Sequence, residues 1–165
     1  MERAPREKLA DASAGAEARQ DMALVSLFGG LALANAGLGA VHGFAGPLGG
    51  AIGAPHGVIC GRLLPFVVET NVAALSHRAP GHPALARYAE VARLLTGDPD
   101  ASVDDGVAWL AELGRTLDVP GLAAYGLEEG ETAAHVTAAK RASSMRGNPV
   151  ELTDDELAEL LRRAA

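Results

Sequence analysis

From Met22 to Gly61 the chain carries no Lys, Arg, Asp or Glu. A helix that is apolar on every side has no place on a solvated surface, so this stretch must be buried, in lipid or in protein. It exceeds the roughly 18 residues that flag a membrane span, and a lipid hairpin over residues 22–45 and 48–68 is one reading. The make-up of the stretch favours a protein interior. Asn35, His42, Pro47, Pro55 and His56 interrupt it, and polar or ionisable side chains are costly in hydrocarbon. Ala and Gly dominate over Leu, Ile and Phe. Eleven of the chain's twenty glycines fall here, recurring at Gly39/Gly43, Gly46/Gly50, Gly49/Gly53 and Gly53/Gly57. Small residues at this spacing let helices approach closely. The expectation is a close-packed helical interior and no membrane.

The flanking segments agree. Residues 1 to about 20 are charged and Ala-rich and read as a helix with a solvated face. Apolar residues make up 48% of the chain but aromatics only 4%, so the apolar mass is of helix-forming type. Pro83 opens a helix over Pro83–Leu95 that Gly97 closes. Ser102 and Asp105 form a capping pair ahead of Val107, Leu110, Leu113 and Leu117, which fall at helical spacing. Pro120 and Gly121 end that helix. Glu131–Ser143 predicts another, stopped by Gly147 and Pro149, and Thr153 with Glu156 forms a capping box before Leu157, Leu160 and Leu161. No run alternates strictly. The reading is an all-α helical bundle of six or seven helices, forming a single domain over 1–165.

The net charge of -7 argues against nucleic acid as a partner. Cys60 is the single cysteine, which excludes an internal disulfide and any CxxC motif. No apolar segment of signal-peptide type follows the charged N-terminus, so a cytoplasmic location is expected. There is no GxGxxG, no P-loop, no GxSxG elbow and no HExxH helix. Nothing in the chain reads as a nucleotide site.

His42 and His56 are the residues best suited to chemistry. Buried imidazole stays neutral and is a good ligand for Fe, Zn, Cu or Ni. A spacing of fourteen, with Pro47 and Pro55 between, requires two helices joined by a bend if the two rings are to converge. The alternative is two core histidines bonded to carbonyls. His77 and His82, in Ser-His-Arg-Ala-Pro-Gly-His-Pro, read as exposed loop residues, and His135 as a surface residue of an amphipathic helix. Arg141 and Arg146 read as solvated, and Asp154, Asp155 and Glu156 as first-turn acids that complement a helix dipole.

The stretch Asn35-Ala-Gly-Leu-Gly-Ala-Val-His42-Gly-Phe-Ala-Gly-Pro-Leu-Gly-Gly50, continuing through Ala54-Pro-His56-Gly57 to Leu64-Pro65, resembles the C-terminal signature of the iron-containing alcohol dehydrogenases. Pro120-Gly121-Leu122, Ala142-Ser-Ser-Met-Arg-Gly-Asn-Pro149 and Leu152 through Leu161 resemble the family's closing helices. The likeness covers roughly residues 15–165. It implies the family's C-terminal all-helical domain, which binds the metal, without the N-terminal domain that binds NAD(P). It also implies Fe(II) or Zn as the metal, with His42 and His56 as the last two of the family's four ligands, one aspartate and three histidines. The activity implied is alcohol/aldehyde interconversion by hydride transfer to or from the nicotinamide.

Two departures qualify the resemblance. Many relatives carry a further histidine one turn after the first of these ligands, where this chain has Gly46. The segment that supplies the aspartate and the first histidine has no counterpart, so the metal site is incomplete and the chain is expected to be inactive alone. Phe44, Gly46 and Cys60 are the candidate substrate-pocket residues, with core packing the default for Phe44 and a small buried side chain the competing reading of Cys60. The expected partners are a nucleotide-domain chain or further copies in a homo-oligomer. The competing reading is a non-catalytic helical oligomerisation module derived from the same fold.

Overall fold

The computed structural model describes residues 12–165, and all regular structure among them is helical. The chain forms two compact units, one ending at Gly37 and the other running from Leu38 to Ala165. In the first unit, α1 (Ala12–Ala36) is a single helix that continues from the charged segment into the charge-free one. Charge stops near residue 21 but the backbone does not, because the Ala-rich sequence propagates across that change. The expectation for residues 1–11 lies outside the described residues. Along α1 the apolar side chains are exposed, among them Met22, Val25 and Phe28 at 64%, 61% and 61%.

The second unit comprises α2 (Ala40–Ile52), α3 (His56–Arg78), α4 (Pro83–Thr96), α5 (Val103–Thr116), α6 (Thr132–Arg141) and α7 (Asp154–Ala164). Short 3-10 turns lie at Leu122–Tyr125, Glu129–Glu131 and Ser143–Gly147. The central helix, α3, packs against α2, α4, α5 and α7. By length and apolar composition alone it could cross a membrane. Its Ile59, Leu63, Val67, Ala74 and Leu75 are instead buried inside the bundle. Pro47 and Pro65 sit inside helices α2 and α3. Each removes one i→i−4 hydrogen bond, and the burial of Leu48 and Leu63 beside them offsets that loss.

The local signals act as expected. Gly97 closes α4 in the left-handed region at φ 72°, its N–H bonding the Arg93 carbonyl. Ser102/Asp105 and Thr153/Glu156 both form reciprocal capping boxes. Elsewhere the boundaries differ. The last residue of α5 is Thr116, ahead of the Pro120 stop, as the chain turns through Asp118 at φ 52°. The helix expected over Glu131–Ser143 ends at Arg141, where Ala142 turns extended and a 3-10 turn takes over. His135 corrects its reading as a surface residue. It is 8% exposed and lies on the buried face of α6 with Val136 and Ala139.

The N-terminus of α2 has no cap of its own, since Gly39 offers no side chain. Asn148 supplies one from across the unit, its Oδ1 accepting from the Ala40 N–H at 3.1 Å. The same amide pairs reciprocally with Asn71 of α3, donating to Asn71 Oδ1 at 2.6 Å and accepting from Asn71 Nδ2 at 3.1 Å. The Gly39/Gly43 pair permits this approach. A Cβ on Gly39 would lie 3.0 Å from Asn148 Oδ1, and one on Gly43 only 2.7 Å from Met145 Cε. Gly46, Gly50, Gly53 and Gly57 meet nothing within 4 Å. A Cβ on Gly49 would make ordinary contact with Ile59 at 3.8 Å, so within the small-residue spacing the packing is tightest at Gly39 and Gly43. Arg62, the first charge after the stretch, caps the C-terminus of α7 by donating from Nε to the Ala164 carbonyl at 3.0 Å.

Candidate metal centre

Helix α2 begins at Ala40, which places His42 in its first turn. At the far end of α2, Gly53 adopts φ 67° and bonds the Gly49 carbonyl, a left-handed C-cap that suits glycine. Pro55, at φ −58° and ψ 137°, then directs the chain into α3, whose first residue is His56. The required bend is thus built from Gly53 and Pro55, and it brings the two imidazoles together. Their ring centroids are 5.3 Å apart and their planes are tilted by 48°. This pairing selects convergence over separate core positions.

Cys60 lies one turn beyond His56 on the same face of α3. Its Sγ is 3.4 Å from His56 Nε2 and 3.8 Å from His42 Nε2. One ring nitrogen of each histidine and this sulfur lie within 4.8 Å of one another. Among the described residues they form the one group of three side chains able to hold a metal ion. His42 and Cys60 are half-buried and His56 is exposed, so one side of the group faces solvent. Burial, reinforced by the neighbouring His56, holds the His42 imidazole below its usual pKa and keeps a nitrogen lone pair free. Burial also pushes the Cys60 thiol up. Two imidazoles with converging nitrogens fit a divalent ion of borderline softness such as Fe(II) or Zn(II).

The other expected site residues are distributed differently. Phe44 is fully buried in the hydrophobic core with Leu48, Ile59 and Leu63, where it supports the first turn of α2 from inside. Gly46 is exposed, and a Cβ there would meet nothing within 4 Å. His77 is exposed but belongs to the last turn of α3, not to a loop. His82 caps α4, its Nδ1 accepting from the Ala84 N–H at 3.2 Å. Arg141 and Arg146 are exposed. Asp154, Asp155 and Glu156 occupy the first turn of α7, with Asp154 paired to Lys140 and Glu156 to Arg78. The sequence reading missed Asn148 and Asn71, which fix the start of the helix that carries His42. The missing cap at Gly39 was the signal that a distant side chain had to supply one.

A family model described as "Fe-containing alcohol dehydrogenase family, C-terminal" matches residues 5–165. The chain is similar to 1,3-propanediol dehydrogenase of Citrobacter freundii, with 29% identity over 90% of this chain and 38% of that protein. It is also similar to alcohol dehydrogenase 4 of Saccharomyces cerevisiae, with 31% identity over 90% of this chain and 37% of that protein. Lactaldehyde reductase of Escherichia coli is 30% identical over 90% of this chain and 38% of its own length. Among solved structures, 1,3-propanediol oxidoreductase matches with a TM-score of 0.80 and 28% identity over 90% of this chain and 38% of that one. Alcohol dehydrogenase from Oenococcus oeni matches with a TM-score of 0.80 and 26% identity over 96% of this chain and 40% of that one. The chain thus spans well under half the length of these relatives.

Proposed function

The chain belongs to the iron-containing alcohol dehydrogenase family, whose C-terminal part it matches, and from this we propose that it is the metal- and substrate-binding portion of an NAD(P)-linked alcohol dehydrogenase. The substrate class is an alcohol or aldehyde, as the names of the relatives suggest for those proteins. The convergence of His42 and His56 across the Gly53–Pro55 bend carries this reading. These two residues would hold the ion, Fe(II) or Zn(II). When bound, the ion supplies Lewis-acid polarisation of a substrate oxygen and the nicotinamide supplies the hydride chemistry.

The chain's own part is to bind and to orient. His42 is kept neutral, and so ligand-competent, by its partial burial. Phe44 and Ile59, both fully buried, keep water from the inner side of the two helix starts. Gly46 places no side chain one turn after His42, so no proton relay operates from that position. The family's aspartate and first histidine have no counterpart among these residues. On this reading, nicotinamide binding and turnover need the family's nucleotide domain.

The test is metal content and affinity of the purified chain beside a His42→Ala/His56→Ala variant, followed by mixing with a nucleotide domain of the family. Stoichiometric metal that disappears in the variant, and NAD(P)-linked alcohol oxidation only in the mixture, are the expected results. Absence of metal from both proteins, with no turnover in the mixture across several alcohols, would sink the proposal.

A second reading, a helical oligomerisation module, is favoured by one observation. The apolar side chains of α1 are exposed along its length, including Leu27 and Phe28 at 57% and 61%. Exposed apolar surface on that scale marks an interaction site. Sedimentation of the chain separates the readings, since the module predicts an oligomer without any metal.

A further inference from the structure

We propose that Cys60 is a third metal ligand, so that this chain by itself holds a divalent ion through His42, His56 and Cys60 and favours Zn(II) over Fe(II). The proposal rests on the reading of the two histidines as ligands and adds to it a donor that the family resemblance does not supply.

The distances carry the argument. Bonds of about 2.3 Å to thiolate and about 2.0–2.1 Å to imidazole, spread over a tetrahedral angle, set sulfur and nitrogen about 3.6 Å apart. The observed separations of 3.4 Å and 3.8 Å from Sγ to the two Nε2 atoms fall on either side of that value. The ligand nitrogens of the two rings lie within 4.8 Å of each other, against about 3.3 Å across a tetrahedral ion, so binding draws the two rings together over the Cys60 sulfur. The arrangement is also stiff. His56 and Cys60 are one helical turn apart on α3, so helix geometry fixes their relation. His42 is set by the first turn of α2, which Asn148 pins to α3 through Asn71.

The thiol has no competing role. Its polar contacts among the described residues are the two imidazoles and nothing else. Cys60 is half-buried against the core on one side and reaches the exposed His56 on the other. On binding, the S–H bond is replaced by a sulfur–metal bond and the proton leaves to solvent. Three protein donors with a solvent-facing fourth position match the pattern of an open zinc site. A thiolate is a softer ligand than the family's carboxylate, which is the basis for the shift away from Fe(II).

The experiment is titration of the full chain with Co(II), Zn(II) and Fe(II), followed by absorption and calorimetry. The variants are Cys60→Ser, Cys60→Ala and His42→Ala/His56→Ala, with helix content checked by circular dichroism. The unaltered chain should take up one Co(II) with a near-ultraviolet sulfur-to-cobalt charge-transfer band, and Zn(II) should displace it. Cys60→Ser should abolish the band, lower the Zn(II)-to-Fe(II) affinity ratio and weaken Zn(II) binding by more than about 100-fold. A group that merely hydrogen-bonds to a ligand accounts for roughly 10–100-fold. Co(II) uptake without the band in the unaltered chain would overturn the role of Cys60. If uptake were then still lost in the double histidine variant, the histidine reading would stand alone. Failure of the unaltered chain to bind any of the three ions would overturn both.

Discussion

Asn148 completes the N-terminus of one helix while tying it to another. Its side-chain oxygen receives the Ala40 N–H and one Asn71 N–H, and its amide nitrogen donates to Asn71 Oδ1 and to the Val150 carbonyl at 2.8 Å. Asn71 is only 2% exposed, and without Asn148 its Nδ2 keeps only Tyr88 Oη, at 3.1 Å, while its Oδ1 loses the Asn148 donor. A buried polar group left without its partner costs about 1–3 kcal/mol. We therefore expect Asn148→Ala to lose about 2–3 kcal/mol in urea unfolding. A double-mutant cycle with Asn71→Ala should show strong coupling, because each single change already removes both bonds between the two amides. Purely additive losses would mean that the pair contributes nothing as a pair. Metal affinity should fall in the Asn148 variant as well, since the helix start it secures carries His42.

At the scale of the elements, the contact between α4 and α5 is controlled by a residue with no side chain. A Cβ on Gly106 would lie 2.6 Å from Ala92 Cβ and 2.9 Å from Ala92 Cα, and the second of these is backbone that cannot rotate away. Gly114, in the same helix, has open space at the same position. Helix propensity favours alanine over glycine by about 1 kcal/mol in both places. The steric term reverses the sign at Gly106, where overpacking costs about 1–3 kcal/mol. Gly106→Ala should lower the melting temperature and Gly114→Ala should raise it. A rise in both would show that α4 and α5 separate without loss.

For the molecule as a whole, α1 and the unit from Leu38 to Ala165 pose separate questions. The second unit has a continuous core, formed by Phe44, Leu48, Ile59, Leu63, Leu122, Leu157, Leu160 and Leu161. Helix α1 exposes its apolar side chains, and contiguous apolar surface beyond a few hundred Å² is rarely left to water. We expect the chain to sediment as an oligomer that binds an apolar dye. A Leu27→Glu/Phe28→Glu variant should shift it toward monomer while the metal site in the other unit keeps its affinity. A monomeric unaltered chain that binds no dye would remove the basis for association through α1.

What the sequence determined by itself is what short-range interactions control. The all-α class follows from helix-forming composition and from caps whose partners lie three or four residues apart, as at Ser102/Asp105, Thr153/Glu156 and Gly97. Part of the bend between the two histidines was legible for the same reason, since Pro55 restricts its own backbone, whereas Pro47 lies inside α2 and Gly53 supplies the left-handed turn. The family resemblance identified His42 and His56 as a pair. Only the tertiary structure decided which faces meet. It brought Asn148 to Asn71 across 77 positions, buried His135 on a helix that reads as amphipathic, and left Gly46 open while closing the space at Gly43. It also set the Cys60 sulfur within reach of both imidazoles, where the sequence offered it only as a substrate-pocket candidate. Caps and turns are chosen by neighbours along the chain. Contacts across a core are chosen by how whole helices pack, and no short stretch of sequence contains that information.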